Sequence, residues 1–238
     1  MCSSDLIKLP FIGDKLENPS DTSIGYIFGI DLYNLKEIII TNATSIGTNA
    51  FEYCKQVEKI EIPNTVTNIE ASAFDGCSNL KKIIIPDSVT SIGESAFSNC
   101  GLEEIKLSNS ITSIGSNTFS RCGSLKSIAI PNSVTSIGKS AFFDCTSLTS
   151  VEIPNSVTSI GESAFIGCSN LEKIELPNSI TIIDSYTFKG CTSLTSIKIP
   201  NSVESIGQSA FVECTSLENI ELPNSITSIG QKIGRAHV

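Results

Sequence analysis

A unit of about 23 residues recurs along almost the whole of this 238-residue chain. One complete copy, residues 148–170, reads LTSVEIPNSVTSIGESAFIGCSN. A unit of this size cannot bury a core by itself, so neighbouring units must stack and share one. The fixed short period therefore predicts a β-rich solenoid, an architecture that usually offers a binding surface rather than a closed reaction pocket.

The cysteines give the length of the repeat. From Cys54 to Cys214 they lie 23 residues apart, except for one interval of 22 between Cys100 and Cys122. The prolines keep the same spacing, and one is missing where Ser108 stands. We number each unit from its leucine as position 0, which places apolar residues at 0, +3, +5, +9, +12, +16, +17 and +20.

This pattern predicts the elements of each turn. Apolar residues at +3 and +5 alternate with polar ones, which indicates a strand over +3 to +5, such as residues 83–85 and 197–199. Proline at +6 ends the strand, and positions +9 to +12 form a second, less regular extended layer. Glycine at +13 is expected to supply a backbone φ that other residues resist. Phenylalanine at +17 is expected to form one buried, stacked column.

The recurring I-P-x-S-V-T-x-I-G-x-x-A-F-x-x-C string, from Leu35 to Gly230, resembles the BspA-like class of leucine-rich repeats. The resemblance implies a leucine-rich-repeat-like right-handed solenoid with one parallel strand per turn. It also implies an extracellular or cell-surface protein used in adhesion and protein binding. Serine replaces the usual asparagine or cysteine at +8, so a serine ladder is expected in place of an asparagine ladder.

The repeat also divides the chain. Residues 35–232 hold eight near-complete units and a truncated ninth, and residues 7–34 read as a degenerate unit with a loop insertion. Residues 1–6 and 233–238 match the translation of a DNA-sequencing adapter. We expect these two segments to be adapter artefacts, because Ser4 and Ile233–Gly234 also break the repeat where leucine and Ala-Phe are due.

Composition excludes several functions. The formal net charge of −9 disfavours nucleic acid as a partner, and no apolar run is long enough to insert in a membrane. The one histidine, His237, falls in the adapter segment, so we expect no catalytic residue, no cofactor and no metal ligand. The cysteine column could suggest disulfides, but side chains stacked in parallel do not converge as a disulfide requires. We expect these thiols to be free and buried.

The outward positions +2 and +4 of the strand are the best candidates for a functional surface. Ile39, Ile84 and Ala129 are apolar where the period demands polar residues, and charges of both signs adjoin them. The candidate protein-binding residues are Ile39, Glu61, Lys82, Ile84, Lys106 and Ala129. Alternating charges at +1 instead suggest lateral pairing for solubility and register.

Two functions stay open: a non-catalytic scaffold that binds a protein ligand, and a structural spacer that displays another, even catalytic, domain of a longer chain.

Overall fold

The computed structural model describes residues 6–9 and 35–234, so most of the degenerate unit and residues 235–238 lie outside the described residues. The eight turns that begin between Leu35 and Leu194 each carry one strand of three or four residues and one strand of two; the turn from Leu217 has only the two-residue strand, and no helix occurs in the described ranges. The longer strands are β1 (Leu6–Leu9), β2 (Glu37–Ile40), β4 (Lys59–Glu61), β6 (Lys82–Ile84), β8 (Glu104–Lys106), β10 (Ser127–Ala129), β12 (Ser150–Glu152), β14 (Lys173–Glu175) and β16 (Ser196–Lys198). The two-residue strands are β3 (Ser45–Ile46), β5 (Asn68–Ile69), β7 (Ser91–Ile92), β9 (Ser113–Ile114), β11 (Ser136–Ile137), β13 (Ser159–Ile160), β15 (Ile182–Ile183), β17 (Ser205–Ile206) and β18 (Ser228–Ile229).

All strand pairs are parallel and join equivalent positions of successive turns. Val151, for example, is in register with Ile128 of the turn before and Ile174 of the turn after. Each repeat position therefore forms a column along the solenoid, as predicted. From β4 onward the longer strands cover +2 to +4 rather than the expected +3 to +5, whereas β1 and β2 run from +2 to +5.

Phenylalanine fills the core on the side opposite the longer strands. Eight rings from Phe51 to Phe211 are buried, and successive rings stack with centroids 5.1 to 5.8 Å apart. This confirms the predicted column, whose six named members are Phe97, Phe119, Phe142, Phe165, Phe188 and Phe211. The planes differ by at most 16°, so the rings add offset stacking to simple burial of area.

The cysteines from Cys54 to Cys214 lie next to this column, and all eight are free thiols. Cys168 Sγ donates to the backbone carbonyl of Phe142 in the preceding turn at 3.1 Å, and the same contact recurs from Cys77 to Cys214. The small thiol therefore fits a buried site that also holds a carbonyl acceptor. Burial raises the pKa of Cys54, Cys122 and Cys214 to about 12 each.

The glycine at +13 has a different role from the one expected. Gly93 and Gly161 do not have a positive φ; the left-handed residues lie at +15 and +19 instead, for example Ser163 with φ 63° and Gly167 with φ 70°. A Cβ added at Gly161 would lie 2.7 Å from the backbone nitrogen of Lys139 in the preceding turn. Glycine is needed there because two turns approach closely, not because of its φ.

The hydroxyl at +8 connects turns as a ladder. Ser156 Oγ donates to the carbonyl of Val134 at 2.7 Å, and Ser88 Oγ donates to that of Val66 at the same distance. Each serine thus satisfies a backbone carbonyl of the turn before it, where a serine ladder was expected. Ser110 instead donates to the carbonyl of Asp87, and the carbonyl of Val89 is taken by Ser108. The buried hydroxyls of Ser133 and Ser202 have no partner among the described residues.

Candidate functional site

The side chains at +2 and +4 of the longer strands form one exposed surface, which we call the strand face. In β4, β6 and β8 the middle residue is buried and the residues on either side are exposed, as strand geometry requires. Five of the six candidate residues are exposed on the strand face: Glu61, Lys82, Ile84, Lys106 and Ala129. Ile39 is half-buried, and its partner in register is Lys8 of β1.

Ion pairs link neighbouring strands over the first turns. Lys82 Nζ lies 2.9 Å from Glu104 Oε2, and Lys59 pairs with both Glu37 and Glu61. These contacts raise the pKa of Lys59, first through the hydrogen bond to Glu37 and then through the one to Glu61. At the adjacent +1 column, the predicted lateral pairing occurs in two pairs, Lys36–Glu58 and Lys81–Glu103, each at 3.3 Å. Exposed pairs like these contribute little stability, so their main effect is on register and surface charge.

A groove of about 850 Å³ opens on the strand face, across the turns that contain β4, β6 and β8. It brings together four candidate residues: Glu61, Lys82, Ile84 and Lys106. Ile39 and Ala129 do not line it. The groove therefore gathers four of the six candidate residues and leaves out two.

The groove also has a wall that the sequence reasoning missed. It comes from the segment after the strand and includes Ile62, Asn64, Pro86 and Asp87. The sequence signal for this wall was Asp87, because the other units have asparagine at +7.

Asp87 is held by the next turn. Its carboxylate accepts a hydrogen bond from the backbone N–H of Asn109 at 2.9 Å and another from the Asn109 side chain at 3.2 Å. These bonds, the backbone one first, lower the pKa of Asp87, and the charge of Lys106 contributes further. The wall therefore keeps its negative charge in a fixed place.

The described ranges show neither a cluster of metal ligands nor a membrane-spanning helix. No three histidine, cysteine, aspartate or glutamate side chains within 6–9 and 35–234 come together as metal ligands would. None of the described secondary structure is a helix with the length and hydropathy of a membrane span.

The repeat chemistry described above is that of a known family. The BspA type leucine-rich repeat region matches residues 44–168 and 112–233, in six copies. The chain belongs to this family. The match covers the stacked turns that carry the groove, and it agrees with the resemblance seen in the repeat string. None of the curated proteins is similar enough to this chain in sequence to be counted as a match.

Solved structures of other leucine-rich repeat proteins are similar to this BspA-type chain. A leucine-rich repeat protein from T. pallidum has 28% identity and a TM-score of 0.59, covering 76% of this chain and 77% of its own. One from Bacteroides ovatus has 27% identity and a TM-score of 0.51, covering 96% and 83%. The pneumococcal vaccine antigen PcpA shares the fold at 23% identity and a TM-score of 0.60, covering 85% and 56%.

Proposed function

We propose that this BspA-type solenoid is a non-catalytic scaffold that binds a protein ligand on its strand face, centred on the groove beside Ile84. One observation carries the proposal. The stacked turns bring an exposed isoleucine, charges of both signs and a groove together, where the repeat would otherwise place only polar residues. A preformed surface binds a protein with little loss of conformational freedom.

The partner class follows from charge and shape. A net charge of −9 opposes a nucleic-acid backbone, and the open groove would leave much of a small molecule in contact with water. A protein segment can instead cover several turns at once. We further propose an extracellular or cell-surface location, which rests on the family resemblance.

The test compares two double charge reversals in a binding assay with a partner captured by the folded protein. Lys82→Glu with Lys106→Glu should weaken binding by about tenfold or more, as the loss of contacts in the centre of an interface does. The control is Lys139→Glu with Glu162→Lys, which swaps a 2.9 Å ion pair on another surface and keeps it intact. The control should bind as the wild type does.

A third variant separates charge from register. Lys82→Glu with Glu104→Lys preserves the ion pair between β6 and β8 while it exchanges the two charges. Equal loss of binding in the control and the strand-face variant, or the reverse ranking, would move the site off the strand face.

The second candidate function is a spacer that displays another domain, catalytic or not, of a longer parent chain. The ion pairs that satisfy most charges of β2, β4 and β6 internally favour it, since they need no partner. A folded protein that retains no ligand whose binding depends on the strand face would support the spacer.

A further inference from the structure

We propose that the groove accepts an extended peptide segment, with a carboxylate side chain placed against Lys106 and a branched apolar side chain placed against Ile84. This inference rests on the proposed function and adds the chemistry of the partner. Three features of the described turns carry it: the neighbours of Lys106, the exposure of Ile84, and the size of the groove.

Lys106 lies between two apolar neighbours of its own column. Ile84 is its partner in register on β6, and Ala129 takes the same position on β10. Lysines earlier on the strand face are paired: Lys59 with Glu37 of the preceding strand, and Lys82 with Glu104 of the next. Lys106 forms no ion pair with any carboxylate of the described residues, and Asp87 is engaged by Asn109 instead. Its ammonium group is therefore free to receive a carboxylate from outside.

Ile84 supplies the apolar contact. Ile84 is 54% exposed. Its neighbours in the +4 column are the charged residues Glu61 and Lys106. Ile62, partly buried, and Pro86 extend the apolar surface along the wall of the groove. A branched aliphatic side chain that covers Ile84 would remove its surface from water, which favours association by about 25 cal/mol per Å² of apolar area.

The dimensions favour an extended segment. The groove runs from β4 to β8, which is two steps between adjacent strands, or roughly 10 Å. An extended chain advances roughly 3.3 Å per residue, so about three to four residues fit across it. That length is enough to place one carboxylate and one apolar side chain two residues apart on the same side of an extended peptide.

The charges near the groove favour a single carboxylate over a more highly charged group. Of the lysines that line the groove, only Lys106 forms no ion pair with a described residue, and the carboxylates of Glu61 and Asp87 line the same groove. A phosphate would carry close to two negative charges into this setting and would meet repulsion from both. A side-chain carboxylate carries one charge and matches one lysine.

The experiment selects binders to the folded protein from a displayed library of random linear peptides. We expect the enriched peptides to share an aspartate or glutamate two residues from leucine, isoleucine or valine. Lys106→Glu should weaken these peptides by about tenfold, and Ile84→Ser by about fivefold, as measured by fluorescence polarisation.

Two control variants match these changes. Lys198→Glu makes the same charge reversal in the same column, where the neighbour in register is Glu175. Ile182→Ser removes an isoleucine that is 52% exposed on the two-residue strand β15. Both controls should stay within about twofold of the wild type, a difference of less than about 0.5 kcal/mol.

The outcomes separate this inference from the proposed function. Enriched peptides that depend on Lys82 or Glu61 but carry no acidic residue would overturn the inference and leave the strand face as the binding surface. Peptides that bind equally to the Lys106, Ile84 and control variants would contradict both, whereas a library that yields no binder would overturn the inference alone.

Discussion

At the residue scale, a single hydroxyl decides how well one turn is held to the next. Ser156 Oγ donates to Val134, whereas the equally placed Ser133 Oγ is buried without a partner. The turn before Ser133 has Ile111 at +9, and the turn before Ser202 has Ile180, where bonded turns have valine or alanine. The extra methylene at +9 thus coincides with the missing bond in both places.

The two serines therefore make a matched pair for mutation. Ser156→Ala should lower the free energy of unfolding by about 1 kcal/mol or more, because it leaves the Val134 carbonyl unsatisfied. Ser133→Ala should be neutral or slightly stabilising, because it removes a buried hydroxyl that has no partner. Denaturant titration of both variants checks this, and equal losses would show that Ser133 does form a bond in solution.

The phenylalanine column gives a second prediction at this scale. Phe165 is buried and stacks on Phe142 and Phe188 with centroid separations of 5.2 and 5.7 Å. Phe165→Ala should cost roughly 3–5 kcal/mol of unfolding free energy in a denaturant titration. A loss below ~1 kcal/mol would mean that the ring is exposed to water and that the repeat register is wrong.

At the scale of the element, the glycine at +13 sets how closely two turns approach. Gly161→Ala would push a Cβ against the backbone of Lys139 and Gly138, at 2.7 and 2.9 Å. We expect it to cost about 1–3 kcal/mol, as overpacking does. Gly123→Ala is the control, since the nearest atom there is Thr146 Oγ1 at 3.4 Å. The control should be neutral or stabilise by roughly 0.4–1 kcal/mol. Equal effects in thermal unfolding would exclude the close approach as the reason for glycine.

The sequence predicted most of this element and missed what depends on contact between turns. Alternation at +3 and +5 and proline at +6 identified the strand, although the ladder begins at Lys82 and Ser196 rather than one residue later. The role of Gly161 could not be read from one turn, because the atoms it would meet belong to another turn. The groove could not be predicted from the sequence for the same reason. Ile84 and Asp87 form one site only once β4, β6 and β8 are stacked.

At the scale of the whole molecule, the buried thiols couple stability to alkaline pH. The folded pKa of Cys54, Cys122 and Cys214 is about 12, and burial also raises the pKa of Cys100, Cys145, Cys168 and Cys191. An unfolded thiol ionises near pH 8.5, so above that pH the unfolded state loses protons that the folded state keeps. Stability is therefore intact below about pH 8.5 and falls as the pH rises towards 12.

The loss of stability at alkaline pH should have a defined slope. Each such thiol should remove about 1.4 kcal/mol of unfolding free energy per pH unit above its unfolded pKa. Denaturant titrations at pH 8, 9 and 10 should show a steep decline, and Cys122→Ala should reduce its slope by about one thiol's share. A flat profile over this range would contradict burial of the column.

The central claim is that the recurring unit stacks into one continuous core that buries a cysteine in every turn. Thiol labelling of the native protein, counted by mass spectrometry, tests it most directly. We expect the seven fully buried cysteines from Cys54 to Cys191 to resist labelling in the folded protein. All of them should react after unfolding, and Cys214, which is less buried, should react earlier than its neighbours. Rapid labelling of several of these cysteines without denaturant, or disulfides between successive turns, would contradict the stacked solenoid.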